Sequence, residues 1–160
     1  MEDYFDKIYE KNKDDIFRLA LSYTNNYADA EDITINTFTK LYKNISKITD
    51  ETHLRRWLLK VTINECKSLS VSYWKKKILF FKDNEENNIK VENNENNLLD
   101  CISKLPKTDR IIIHLYYYEN YSIEEIANIL NKSISSIKTR LHRARLNLKD
   151  ILKEDLDYDK

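Results

Sequence analysis

The stretch Tyr121-Ser-Ile-Glu-Glu-Ile-Ala-Asn-Ile-Leu-Asn-Lys-Ser-Ile-Ser-Ser-Ile-Lys-Thr-Arg-Leu-His-Arg-Ala-Arg145 decides the fold. Ser122 followed by Glu125 fits a capping box, in which the serine hydroxyl and the glutamate carboxylate each accept a backbone N–H at a helix start. Ile126, Ala127 and Leu130 give that short helix a buried face. Asn131 follows directly, and asparagine is the best non-glycine residue for the left-handed conformation that ends a helix and opens a tight turn. A second helix starts near Ser135, with Ile134, Ile137, Leu141, Ala144 and Leu148 as its inner stripe. The order is helix, tight turn, helix.

The second helix is chemically one-sided. No acidic residue lies between Ile126 and Lys149, whereas Lys132, Lys138, Arg140, Arg143, Arg145 and Lys149 all do. A DNA phosphate backbone would supply the missing counter-charge. Lys138, His142, Arg145 and Lys149 recur at helical spacing opposite the apolar stripe, and Ser135, Ser136 and Thr139 occupy the N-terminal end that enters a major groove in such motifs. Arginine or lysine reads guanine edges, and threonine contacts a thymine methyl. A solvated basic helix face explains the charge alone, but not the charge together with the turn and the capping box.

Outward from this motif, the composition is that of an all-α protein. The chain has 160 residues, no glycine and one proline, so glycine loops that cradle phosphates and glycine-dependent hairpin turns are excluded. Formal charges cancel, 27 basic against 27 acidic, yet their placement is uneven. Of the sixteen residues 82–97, twelve are Asn, Asp or Glu, and such a stretch cannot bury enough apolar surface to offset ordering. It divides the chain into two small helical domains, 1–81 and 98–160, on a flexible acidic tether.

In the first block, Ile16, Ala20, Tyr23 and Tyr27 form one helical stripe, Ala30, Ile33, Thr37, Phe38 and Leu41 a second, and Leu54, Trp57, Leu58 and Val61 a third. A compact bundle is the default way to bury them. In the second block, Leu105-Pro106 precedes a helical run from Ile111 to Tyr118. Cys66 and Cys101, far apart and outside any C-x-x-C pattern, read as buried thiols in a reducing compartment. An acidic N-terminus without an apolar core, and only short apolar runs, predict a cytoplasmic protein without membrane insertion. His53, His114 and His142 have no metal spacing and no nucleophile motif is visible, so no catalytic residue, metal or cofactor is expected.

A second basic cluster contains Arg55, Arg56, Lys60, Lys67, Lys75, Lys76 and Lys77, opposed only by Glu65, with Tyr73 and Trp74 among the charges. Single-stranded DNA requires this mixture, because phosphates need charge and unstacked bases need π-faces. The competing reading is that the tryptophans are core residues, above all Trp57 on its apolar stripe.

Three segments resemble one family, the extracytoplasmic-function (ECF) class of sigma-70-type RNA polymerase sigma factors. Asp29-Ala-Glu-Asp-Ile-Thr-Ile-Asn-Thr-Phe-Thr-Lys-Leu-Tyr42 resembles the helix that docks on the polymerase β′ subunit. Trp57-Leu-Leu-Lys-Val-Thr-Ile-Asn64 resembles the W-L-x-x-I-A-x-N stretch of the promoter-melting domain, and 121–145 is similar to region 4.2. With the tether, the resemblance covers nearly the whole chain in the family's order. It implies a sigma factor that binds core RNA polymerase, through its β and β′ subunits, and promoter DNA, under the control of an anti-sigma factor that can hold it at the membrane.

The resemblance also implies residue roles. Asp29, Glu31, Asp32, Asn36 and Phe38 would contact core polymerase; the first three also suit a helix N-terminus by charge, and Phe38 also belongs to an apolar stripe. Asn64 would help line a pocket for a base flipped from the −10 element, with Arg55, Arg56, Lys60 and Lys67 beside it on the single strand. A buried asparagine bonded to backbone is the alternative for Asn64. Lys47-Ile-Thr-Asp-Glu-Thr-His53 matches the base-selecting loop, without the aromatic and glycine often found there. Ser135, Ser136, Lys138, Thr139, His142 and Arg143 would contact the −35 element. A polymerase-independent helix-turn-helix regulator explains 121–149 equally well but leaves the two earlier segments without a purpose.

Overall fold

The computed structural model describes residues 2–79 and 97–158, and the side chains of 2–69 and 100–154. They belong to two compact units, one within residues 1–89 and one within 90–160. Most of the expected tether, residues 82–96, and the side chains of Tyr73, Trp74, Lys75, Lys76 and Lys77 lie outside the described residues.

The first unit is built from α1 (Glu2–Thr24), α2 (Tyr27–Asn44), a 3-10 turn (Ile45–Lys47) and α3 (Glu51–Leu79), each α-helix packing on the other two. Helix α1 ends because Asn25 turns left-handed, φ 49. Asn26 is extended and caps α2, its side-chain oxygen accepting the Asp29 N–H at 2.9 Å. This break corrects the first stripe. Ile16, Ala20 and Tyr23 are buried on α1, but Tyr27 opens α2, is 49% exposed and meets Phe17 edge to face at 4.9 Å. The α2 stripe Ala30, Ile33, Thr37, Phe38 and Leu41 is buried throughout. Thr37 and Thr62 return their hydroxyls to Ile33 and Leu58 carbonyls at 2.8 and 2.7 Å, so neither buried oxygen is left unsatisfied.

Asp50 starts α3, accepting the His53 N–H at 2.8 Å on its carboxylate, and this bond holds its carboxyl below the ordinary carboxylate value. The buried face of α3 is Leu54, Leu58, Leu59, Thr62, Ile63 and Cys66. Trp57 and Val61, expected in the stripe, are only half-buried and flank it. Leucine 59 and isoleucine 63, at i+5 and i+9 from Leu54, rotate the apolar face away from Trp57.

Arg55 corrects a second expectation. Its Nη1 donates to Asn12 Oδ1 at 3.0 Å and its Nη2 to Asp15 Oδ2 at 2.9 Å, while buried Asn12 donates to the Ile8 carbonyl at 2.9 Å. A guanidinium committed to α1 in this way acts as a strut between helices, a role its place in the basic cluster does not announce. Arg55→Ala leaves the Asn12 oxygen buried without that donor and is expected to lower unfolding stability by about 1–3 kcal/mol. Denaturant unfolding of the purified protein measures it, with Arg56→Ala, an exposed neighbour, expected to cost about 0.5 kcal/mol or less.

The second unit comprises α4 (Asn97–Ser103), α5 (Lys107–Ile113), a π-helical turn (His114–Tyr118), α6 (Ile123–Leu130) and α7 (Ile134–Tyr158). Pro106 precedes α5, where its missing N–H costs no helical bond. Buried Arg110 donates from Nη1 to the Ser103 and Leu105 carbonyls at 3.0 and 2.8 Å, satisfying the end of α4. The expected helix from 111 to 118 is α-helical only to Ile113. Glu119 N–H reaches back to the His114 carbonyl at 3.1 Å, and His114 stacks on Tyr118 with centroids 4.9 Å apart. The wider turn keeps Leu115 wholly buried while Tyr117 and Tyr118 face solvent, and Asn120, φ 58, closes it. Ile111, Ile112, Leu115, Ile126, Ile137 and Leu141 form the core, against which α7 packs α4, α5 and α6.

Cys66 and Cys101 are both buried free thiols, as their sequence contexts predict. Among the described residues no helix is long and apolar enough to cross a membrane.

Candidate nucleic-acid interface

The capping box forms as spaced: Ser122 Oγ accepts the Glu125 N–H at 3.1 Å, and a Glu125 carboxylate oxygen accepts the Ser122 N–H at 2.9 Å. Helix α6 ends at Asn131, left-handed at φ 54, ψ 48, and the Lys132 N–H bonds the Ala127 carbonyl at 2.9 Å. Ser133 then caps α7, its Oγ accepting the Ser136 N–H at 3.1 Å. Three residues therefore reverse the chain with most of its turn-forming backbone groups paired, which fixes the direction in which α7 points.

On α7, Ile137, Leu141 and Ala144 are buried and Leu148 is half-buried. Ile134 departs from the expected stripe and is 44% exposed, because the first residue of the helix still belongs to the turn. Ser135, Lys138, Thr139, His142 and Arg143 are exposed at helical spacing on one face; Ser136 is half-buried beside them. Two of the six cations on this stretch are engaged with partners inside the unit. Arg140 lies 3.3 Å from Asp109 Oδ1 on α5 and is half-buried. Arg145 donates from Nε to the Tyr117 hydroxyl at 2.6 Å, a bond that raises its already high pKa. Sequence periodicity did not reveal Tyr116 and Tyr117 as neighbours of α7, because the π-helical turn that turns them there breaks the 3.6-residue period.

In the first unit, Arg56, Lys60, Asn64 and Lys67 are all exposed. At about 100° per residue they fall within about 80° of one another on α3, and Trp57 lies about 20° from Asn64. Asn64 is therefore not a buried amide: it faces solvent on a side of α3 that carries three cations and, about two turns earlier, the half-buried Trp57. This is the charge-plus-π combination that single strands need. The segment 47–53 contributes only residues 48–50 as irregular chain, its remainder belonging to the 3-10 turn and α3.

Helix α2 presents Glu31, Asp32, Asn36 and Thr39 to solvent, and Asp29 is half-buried. Ile35 stands between them at 63% exposure, an apolar centre that the sequence signals only by its absence from the buried stripe. Phe38 is corrected: it is 3% exposed, with its ring edge-on to Tyr9 at 4.9 Å, and packs the bundle instead of facing a partner. Lys40 pairs with Glu65 of α3. Among the described residues no cluster of three or more His, Cys, Asp or Glu is placed to hold a metal.

A three-helix unit with a cation-bearing face and a second unit with a capped helix-turn-helix are the architecture of a helical DNA-binding protein. Residues 8–76 match the family Sigma-70 region 2, and residues 95–148 match Sigma-70, region 4. The ECF RNA polymerase sigma factor SigM of Bacillus subtilis is 30% identical over 152 residues, covering 90% of this chain and 92% of that protein. The RNA polymerase sigma factor SigV of the same organism is 28% identical, covering 91% of this chain and 89% of that one. In fold, the chain is similar to the sigma factor RpoE of Bartonella quintana, solved in complex with the anti-sigma factor NepR: TM-score 0.79, 20% identity, 96% of this chain and 98% of that one covered. The chain belongs to the ECF family of sigma-70-type RNA polymerase sigma factors. It directs promoter-specific transcription initiation as a non-enzymatic subunit of RNA polymerase.

Proposed function

We propose that three surfaces of this chain divide the work of initiation. Residues 1–81 act as the region 2-like domain, docking on core polymerase through Asp29, Glu31, Asp32 and Asn36 around Ile35. The α3 face of Arg56, Lys60, Asn64 and Lys67 holds the unpaired −10 strand, with Asn64 hydrogen-bonding an extruded base. Residues 98–160 act as the region 4-like domain, in which Ser135, Ser136, Lys138, Thr139, His142 and Arg143 read the −35 duplex. The acidic stretch 82–97 tethers the two.

The observation that carries this reading is the face of α7, where Lys138, Thr139, His142 and Arg143 stand exposed together behind a turn capped by Ser133. Two weak DNA sites on one tether, held apart by the β and β′ subunits, give useful affinity only when both engage, so the free factor binds DNA poorly. An anti-sigma factor as a further partner is supported by RpoE of Bartonella quintana, solved with NepR. The protein works in the cytoplasm, where core polymerase is.

The test is a pull-down of bacterial core RNA polymerase with the purified protein, followed by selection of transcribed promoters from a random library. Polymerase capture and a two-element promoter are expected. Tight, polymerase-free binding to a palindrome would instead assign the surfaces to an autonomous regulator.

A further inference from the structure

Arg145 lies on the solvent side of α7 in line with Lys138 and His142, but its guanidinium is not left to swing. Besides the 2.6 Å bond from Nε to the Tyr117 hydroxyl, its Cζ lies 5.2 Å from the Tyr116 ring centroid and 5.6 Å from that of Tyr117. The two rings meet edge to face, 4.9 Å between centroids at 75°. Cation–π attraction holds the charge over the rings while the hydroxyl fixes the plane of the group. Consecutive side chains of an α-helix diverge by about 100°. In the wider π-helical turn the angle is smaller, and both tyrosines reach the same guanidinium.

A flexible arginine that meets a phosphate loses rotamer freedom on binding, whereas one already held in place loses less. The Tyr117 bond is made by Nε, the nitrogen nearest the chain, and does not require the terminal nitrogens that form the phosphate-matching fork. We propose that Tyr116 and Tyr117 are positioning residues for promoter recognition, holding Arg145 so that its terminal nitrogens meet a DNA backbone phosphate flanking the duplex read by α7. The proposal rests on α7 being the −35 recognition helix, and it adds a contact that fixes register without reading sequence.

The test uses the full chain assembled with core polymerase, titrated against labelled promoter duplexes over a salt series, with thermal unfolding of each free variant as a second readout. Arg145→Ala is expected to weaken binding about tenfold for all −35 sequences alike. It also lowers the log–log salt slope by about one. Tyr117→Phe keeps the ring and the charge, so it weakens binding about threefold with the slope unchanged, and it adds nothing in the Arg145→Ala background. Tyr116→Leu, which removes the second ring and its hydroxyl but spares the Tyr117 bond, shows the same non-additivity.

Equal losses from Tyr117→Phe with and without Arg145 would overturn the positioning role, as would an Arg145→Ala protein with unchanged affinity and slope. Lys138→Ala with Arg143→Ala, measured in parallel, separates the two failures. If that pair loses promoter binding while the Arg145 set does not, the clamp alone is wrong. If that pair binds normally, the assignment of α7 falls and takes the clamp with it.

Discussion

Glu31→Arg with Asp32→Arg leaves a folded protein that no longer co-elutes with core RNA polymerase. Both carboxylates are exposed and neither makes an ion pair or hydrogen bond among the described residues, so reversing them breaks nothing inside the bundle. They lie beyond the first turn of α2, where the helix dipole no longer acts strongly, and the cost in stability is small. At an interface that meets them with positive charge, each reversal replaces an attraction with a like-charge contact, and such juxtapositions cost several kcal/mol. The expected loss of affinity is at least about a hundredfold. Unchanged thermal unfolding with absent co-elution on a sizing column is the supporting result. A variant that still travels with polymerase would remove α2 from the docking surface. Ile35→Asp, an uncharged-to-acidic change at the centre of the same face, is expected to weaken docking in the same direction.

Lys138→Ala with Arg143→Ala abolishes promoter-directed initiation in a reconstituted transcription assay and leaves polymerase binding intact. The two side chains are exposed, and alanine is the best helix former, so α7 keeps its geometry. Each lost base-edge or phosphate contact costs about 1–3 kcal/mol. If both are phosphate-linked, the log–log salt slope of promoter binding falls by about two. Normal initiation by the double variant would take the −35 assignment away from this face. The two experiments fail independently, because one reads a protein interface and the other a DNA interface on a different unit.

The helix-turn-helix was legible because every step of it is local. Ser122, Glu125 and Asn131 declare a helix start and stop through side-chain chemistry within a few residues, and all three act as read. The α2 stripe was legible because it repeats without interruption. Features that depend on a distant partner were not. Arg55 carries the same charge as Arg56, and only the approach of Asn12 and Asp15 from α1 marks it as a strut between helices. Arg140 is tied to Asp109 and Arg145 to Tyr117, partners that no local pattern in the sequence announces. Phe38 satisfied both a motif and a stripe, and burial against Tyr9 decides for the stripe. The stripe through Tyr27 crossed a real helix end because periodicity counts residues and is blind to a single left-handed joint. Trp57 was misplaced by the same counting, since a window that omitted Leu59 and Ile63 set the apolar face too far round the helix.

Those left-handed joints have a consequence of their own. Asn25, Asn120 and Asn131 all adopt positive φ in a chain with no glycine. Glycine codons begin with two guanines and asparagine codons with two adenines, so a coding sequence rich in A and T can keep its tight corners only by writing them with the one other residue that tolerates them well. Three corners that glycine would ordinarily turn are turned here by a short amide side chain. An engineer inherits three corners, Asn25, Asn120 and Asn131, where an Asn→Gly change removes the Cβ cost of a left-handed backbone.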